Sequence, residues 1–187
     1  MNEPRADARK MSRIKLLLVA SVFAAPLLVA MVLTLVGWQP GTSSHGAAIK
    51  PQRSFAKIDI RLADGKNYPW KDSEPRMTLL ALPGSDCMDN CMRLLHLMSN
   101  ARITLNKNAD RLRLLYVGEP PHGPKAAAVM RDWQIGSDVG DKLASFRPRG
   151  PDSVAAILVE SNGTALTLYR AGFDPNGLKK DLQKVIR

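Results

Sequence analysis

The first pattern along the chain is an apolar run from Leu16 to Val36, free of charge and interrupted only by Ser21, Pro26 and Thr34. About 20 such residues cross the hydrocarbon core of a bilayer, and a proline is tolerated in a membrane helix where neighbouring groups satisfy the freed carbonyl. A transmembrane helix is therefore expected over 16–37, after a basic tail at 1–15. The following stretch, Gln39 to Lys50, is rich in Gly, Ser, Thr and Ala and predicts a flexible tether over 38–54. Beyond it the pattern changes to short periodic segments. Ala56 to Arg61 alternates apolar and polar residues, Asp64-Gly65 supplies a hairpin turn, and Lys66 to Trp70 reads as a short return strand kept at an edge by Pro69. Met77 to Leu82 is apolar throughout, as in a strand covered on both faces. From Cys87 the spacing becomes helical through Cys91, Leu94, Leu95, Met98, Ala101 and Leu105, until Asn106 to Asp110 breaks it. Leu112 to Val117 predicts another buried strand, Gly118 to Pro124 a loop with three prolines, and Ala126 to Trp133 a helix. Val154 to Glu160 and Thr164 to Arg170 predict a hairpin turning at Ser161-Asn162-Gly163, and Pro175 to Ile186 a closing helix.

The order is β-hairpin, β-α-β-α, β-hairpin, α. That is an α/β domain of thioredoxin-like topology, expected over 55–187 and preceded by one membrane helix. Its parallel crossover should be right-handed.

Charge adds an orientation. Arg5, Arg9, Lys10, Arg13 and Lys15 precede the apolar run, and the first cations after it are Lys50 and Arg53. The positive-inside bias then places the amino end in the cytoplasm and the domain in the periplasm, anchored in a bacterial inner membrane. A cleaved signal peptide is the competing reading, but its apolar core is usually shorter and its cleavage site has small residues, unlike Leu-Val-Gly-Trp-Gln-Pro at 35–40. The net charge of +10 raises the question of nucleic acid. Five of the cations lie in the tail and the others are scattered through the domain, so a solvated basic surface is expected and no nucleic-acid partner.

The chain has 2 cysteines, Cys87 and Cys91. So close together they cannot staple distant parts of a fold; they can close a small loop or share a ligand. On a helix they would share one face with Cα atoms about 6 Å apart, within reach of a disulfide. A helix amino end favours a thiolate at Cys87, while Asp86 and Asp89 oppose it. Reduced, the pair would suit Cu(I), with Met88 and Met92 as further soft donors nearby.

Gly-Ser-Asp-Cys-Met-Asp-Asn-Cys at 84–91, with its C-x-x-x-C spacing, resembles the Sco family of copper-binding, thioredoxin-like assembly factors for cytochrome c oxidase. Leu97-Met98-Ser99-Asn100-Ala101-Arg102-Ile103 and Phe173-Asp174-Pro175-Asn176-Gly177-Leu178-Lys179-Lys180-Asp181-Leu182-Gln183 carry the likeness further, to small Sco-like membrane proteins of bacterial oxidase gene clusters, over roughly 50–187. The resemblance implies Cu(I) as cofactor, oxidase subunits as partners, and Cys87 and Cys91 as both the reactive pair and the metal ligands. One departure stands out: the family's distal histidine, about eleven residues before the hairpin glycine Gly163, is Asp152 here. The thioredoxin cis-proline is also missing from its usual offset, Pro151 lying too far back.

Of the three histidines, His45 falls in the expected tether and His96 on the far side of the dithiol helix. Neither should reach the pair. His122 lies in the loop after the second parallel strand, at the sheet edge expected for Cys87, and is the candidate third ligand or proton donor. Three roles stay open: an oxidase-assembly factor acting by copper handling or thiol reduction, a general thiol–disulfide oxidoreductase with Cys87 attacking and Cys91 resolving, and an interaction module with an inert disulfide.

Overall fold

A computed structural model describes residues 4–36, 44–71 and 73–186. The chain divides into two units, after Ser43. The first holds one helix, α1 (Pro4–Leu35), whose window Leu18–Leu35 has a mean hydropathy of 2.5 and is long and apolar enough to cross a membrane. The helix reaches back through the expected basic tail to Pro4, a residue that suits a first helical turn because it has no amide to leave unpaired. Residues 1–3, the expected end of the span at 37 and the first part of the expected tether, 38–43, lie outside the described residues.

The second unit is built on β1 (Ala47–Ser54), β2 (Ile60–Leu62), β3 (Met77–Pro83), α2 (Asp89–Ile103), β4 (Leu112–Val117), α3 (Ala126–Met130), β5 (Gln134–Asp138), β6 (Val154–Val159), β7 (Thr164–Tyr169) and α4 (Pro175–Val185). The seven strands form one sheet in the order β1-β7-β6-β3-β4-β5-β2. β3, β4 and β5 run parallel, and the other pairings are antiparallel. This is the expected thioredoxin-like α/β arrangement, in which β1 and β5 are additional to the expected strands and the expected return strand at 66–70 is not formed.

Alternation along the central strands sends side chains to two separate cores. Leu79, Ala81, Leu112, Leu114, Tyr116, Val154, Ala156 and Leu158 point to the face covered by the helices, where Leu94, Leu95 and Met98 of α2 and Leu178 and Leu182 of α4 meet them. Leu80, Leu82, Leu115, Val117, Ile157 and Val159 point the other way, under Phe55, Tyr68, Trp70 and Leu143. Phe55 and Trp70 meet edge to face at 5.6 Å, and Tyr68 and Trp70 at 5.0 Å. This second face is therefore roofed by aromatic rings rather than by a helix.

Three expectations are corrected. Residues 47–54, read as tether, form β1 and pair with β7. An exposed edge strand satisfies its backbone on the neighbouring strand and needs no apolar pattern, so its composition resembled a linker. The opening hairpin keeps its turn at Gly65, with φ of +81°, but the return strand shrinks to a single bridge between Arg61 and Asn67. β2 pairs instead with β5, a strand not expected from Gln-Ile-Gly-Ser-Asp because that segment has little apolar character. The closing helix agrees with its signals: Asp174 caps it, accepting from the amides of Asn176 and Gly177, both at 3.0 Å, and Pro175 occupies the first turn.

Candidate functional site

β3 runs into the amino end of α2, and between them Gly84 to Met88 form the turn that carries Cys87. Gly84 passes so close to the segment before β6 that a side chain there would collide with the Gly150 carbonyl, while its amide donates to the Ser153 carbonyl at 2.8 Å. α2 starts at Asp89, two residues later than the sequence spacing suggested, so Cys87 lies just ahead of the helix and Cys91 inside its first turn. The pair forms a disulfide with Cα atoms 5.1 Å apart. Its two sulfurs are unequally placed. Cys91 is fully buried and part of the helix-side core, whereas Cys87 is half-buried at the surface.

Asp152, the position counted as a missing ligand, lies against this turn. Its Oδ1 accepts from the amides of Met88 and Cys91, both at 2.9 Å, and its Oδ2 from the amide of Asn90 at 3.0 Å. Asn90 Nδ2 donates back to the Asp152 carbonyl at 3.0 Å. Partial burial pushes the Asp152 carboxyl up, but the three amide bonds outweigh it and hold the group below the ordinary carboxylate range. Met88 stands at the helix cap position, where a thioether offers the free amides nothing to bond, so the cap comes from a distant segment. The lack of a local acceptor at Met88 leaves the helix amides to such a partner.

In front of Cys87 is a hollow of about 410 Å³, lined also by Asp86, Met88, Asp89, Met92, Glu119 and His122. The structure thus brings His122 to the same hollow as Cys87. Its Nε2 lies 3.6 Å from Glu119 Oε1, and both side chains are more than four-fifths exposed. The loop bearing them is held at its root: the Tyr116 hydroxyl donates to the Glu119 carbonyl at 2.8 Å, and Arg147 donates to the Val117 carbonyl at 3.1 Å. Burial, offset in part by Arg147 and reinforced by Glu119, raises the Tyr116 phenol to about 12. His45 and His96 lie elsewhere. His45 bonds Asp181 at 3.1 Å, anchored rather than loose as a tether residue would be, and His96 contacts Asn100 at 3.1 Å on α2.

The donors around Cys87 do not converge on a ready copper site. No group of three or more His, Cys, Asp or Glu side chains placed to hold a metal occurs among the described residues. A disulfide offers no thiolate, and the Asp152 carboxylate is already engaged by three amides. What the arrangement offers directly is thiol chemistry, with one sulfur open to a hollow and the other shielded behind it.

Fold and dithiol together define a thioredoxin-like domain that follows an apolar helix. The family model for the C-terminal domain of transmembrane-like, thioredoxin-like proteins matches residues 77–187, and the chain belongs to that family. Among solved structures, Arabidopsis thaliana ScoI with copper bound is 13% identical, with 75% of this chain and 97% of that one covered at a TM-score of 0.50. Apo Sco1 from Thermus thermophilus is 18% identical, with 78% and 96% covered at a TM-score of 0.50. Sco proteins thus share the fold. A comparison with curated proteins gives no match.

Proposed function

We propose that the chain is a membrane-anchored, Sco-like factor that serves cytochrome c oxidase assembly by thiol–disulfide exchange at Cys87 and Cys91. The observation that carries the exchange is the unequal exposure of the two sulfurs, with Cys91 fully buried behind a half-buried Cys87. A partner thiolate can approach Cys87 through the hollow and attack its sulfur in line with the disulfide. The new bond joins the partner sulfur to Cys87, the Cys87–Cys91 bond breaks, and Cys91 departs as a thiolate that takes a proton from water. A second thiol of the partner, as its thiolate, then attacks the partner sulfur of the mixed disulfide. Cys87 is released, the partner is left as a disulfide and this chain as a dithiol. The reverse sequence reduces a partner disulfide, and the dithiol is then restored by an exported dithiol reductant. The relative potentials of the two pairs set the direction.

The positive-inside bias of the residues before Leu16 supports a cytoplasmic amino end and a periplasmic domain in the bacterial inner membrane. A disulfide fits that compartment. The link to the oxidase comes from the C-x-x-x-C resemblance.

Copper handling is a second reading. It is favoured by the sulfur and nitrogen donors Met88, Met92 and His122 around the same hollow as Cys87. In that case the reduced pair and His122 would hold Cu(I), which the protein would deliver as cargo. Chromosomal Cys87→Ser tests both. Loss of assembled oxidase that added copper does not restore supports exchange, restoration by copper supports copper handling, and unchanged oxidase contradicts both.

A further inference from the structure

The Asp152 carboxylate takes the amides of Met88, Asn90 and Cys91, so it occupies the amino end of the dithiol helix from across the fold. Its backbone is left-handed, with φ of +45°, a conformation that asparagine and aspartate adopt more readily than other side-chain-bearing residues. Gly84, bonded to Ser153 next to it, locks the two segments together.

We infer that Asp152 is a positioning residue that biases the Cys87–Cys91 pair toward the disulfide. This rests on the exchange reading above. Two effects follow from the same contacts. By holding the Cys91 amide, Asp152 fixes the buried sulfur behind Cys87, so the pair is pre-arranged for closure. By placing a negative charge where the helix amides would otherwise stabilise an anion, it opposes the charge that grows on Cys91 as the disulfide opens. Asp86 and Asp89 add negative charge on the hollow side of the same turn. A C-x-x-x-C pair at an uncapped helix end would be a better oxidant than this one. The shift is electrostatic and local, so it should be lost in any change that removes the charge, even one that keeps the cap geometry.

The test is the equilibrium of the full-length chain, in detergent, with a glutathione redox buffer at fixed pH, read by mass-tagging the free thiols. Asp152→Asn keeps the shape and the Oδ1 acceptor for the Met88 and Cys91 amides while losing the charge and the Asn90 bond, and Asp152→Ser keeps a shorter uncharged cap. Both should move the constant about tenfold toward the dithiol, equivalent to about 30 mV for a two-electron couple, with near-UV dichroism unchanged. Raising ionic strength with the unmodified chain screens the same charge and must move the constant in the same sense, which covers the case in which neither variant folds. A constant within twofold of the parent for folded Asp152→Asn, or a shift toward the disulfide, would overturn the inference and leave Asp152 a purely structural cap. Failure of the parent chain to equilibrate with glutathione at all would instead overturn the exchange reading.

Discussion

Asp181 offers the sharpest test of how the domain is held together. It is 4% exposed on α4 and serves four donors. Its Oδ2 accepts from Ser44 Oγ at 2.9 Å, from the His45 amide at 2.7 Å and from the Tyr169 hydroxyl at 3.0 Å, while its Oδ1 meets His45 Nδ1 at 3.1 Å. The carboxylate therefore pins the residues leading into β1 onto α4 and β7. Hydrogen bonds to a charged group contribute about 1.5–3 kcal/mol each when buried. Ser44 and the His45 ring can rehydrate, however, so the full sum does not apply. The Tyr169 hydroxyl, on a residue 1% exposed, and the His45 amide are the donors that lose most. Asp181→Ala should then cost about 3 kcal/mol, or roughly 10 °C in Tm for a domain of this size, and Asp181→Asn about half of that. Burial pushes this carboxyl up, but the bonds from the His45 ring and amide, Ser44 and Tyr169 pull it further down, so its folded value is depressed. A depressed acid contributes stability above its unfolded value of about 4 and loses it as the pH falls through the lower folded value. Thermal unfolding followed by near-UV dichroism between pH 7 and pH 3 reads both effects. The parent should lose part of its advantage over Asp181→Asn as the pH drops. An Asn variant within 0.5 kcal/mol of the parent at pH 7, or a gap that does not narrow in acid, would refute the reasoning.

Other outcomes follow from single contacts. Gly84→Ala drives a methyl into the Gly150 carbonyl. It should lower stability by about 2 kcal/mol, and because it pushes Asp152 off the helix end it should also raise the Cys87–Cys91 midpoint, measured against glutathione. Trp133 Nε1 donates to Ser99 Oγ at 2.9 Å inside the core, so Ser99→Ala strands a buried indole N–H at a cost of about 1–2 kcal/mol in urea unfolding. The raised phenol of Tyr116 contributes stability below its unfolded value of about 10 and loses it as the pH climbs toward about 12. Tyr116→Phe should flatten that alkaline decline in thermal melts.

What could be read from the sequence was what depends on local period. β3, β4, β6, β7, α2 and α4 each carry an apolar pattern that matches the face they bury, and the turn glycines Gly65 and Gly163 sit at the positive φ their turns need. β1 and β5 escaped because edge and near-edge strands are held by ladder bonds to distant partners: Ala47 pairs with Leu168, and Gln134 with Leu115. The dithiol and the place of His122 were legible because topology puts the ends of β3 and β4 together. The role of Asp152 was not. Counting back from Gly163 reached the residue but only as a ligand that is lacking, and nothing in the spacing says that its carboxylate closes the helix end at Met88, Asn90 and Cys91. That fact belongs to the tertiary approach of two loops.

The most direct test of exchange at Cys87 is single-cysteine trapping. Full-length Cys91→Ser and Cys87→Ser, each reduced in detergent, are exposed to glutathione disulfide, and adduct formation is followed by mass spectrometry. The half-buried Cys87 and the fully buried Cys91 predict that Cys91→Ser takes up one glutathione rapidly, while Cys87→Ser reacts about a hundredfold more slowly, since thiol attack requires access. Equal rates, or faster reaction at Cys91, would contradict the assignment of Cys87 as the attacking sulfur and with it the account of how this domain exchanges disulfides.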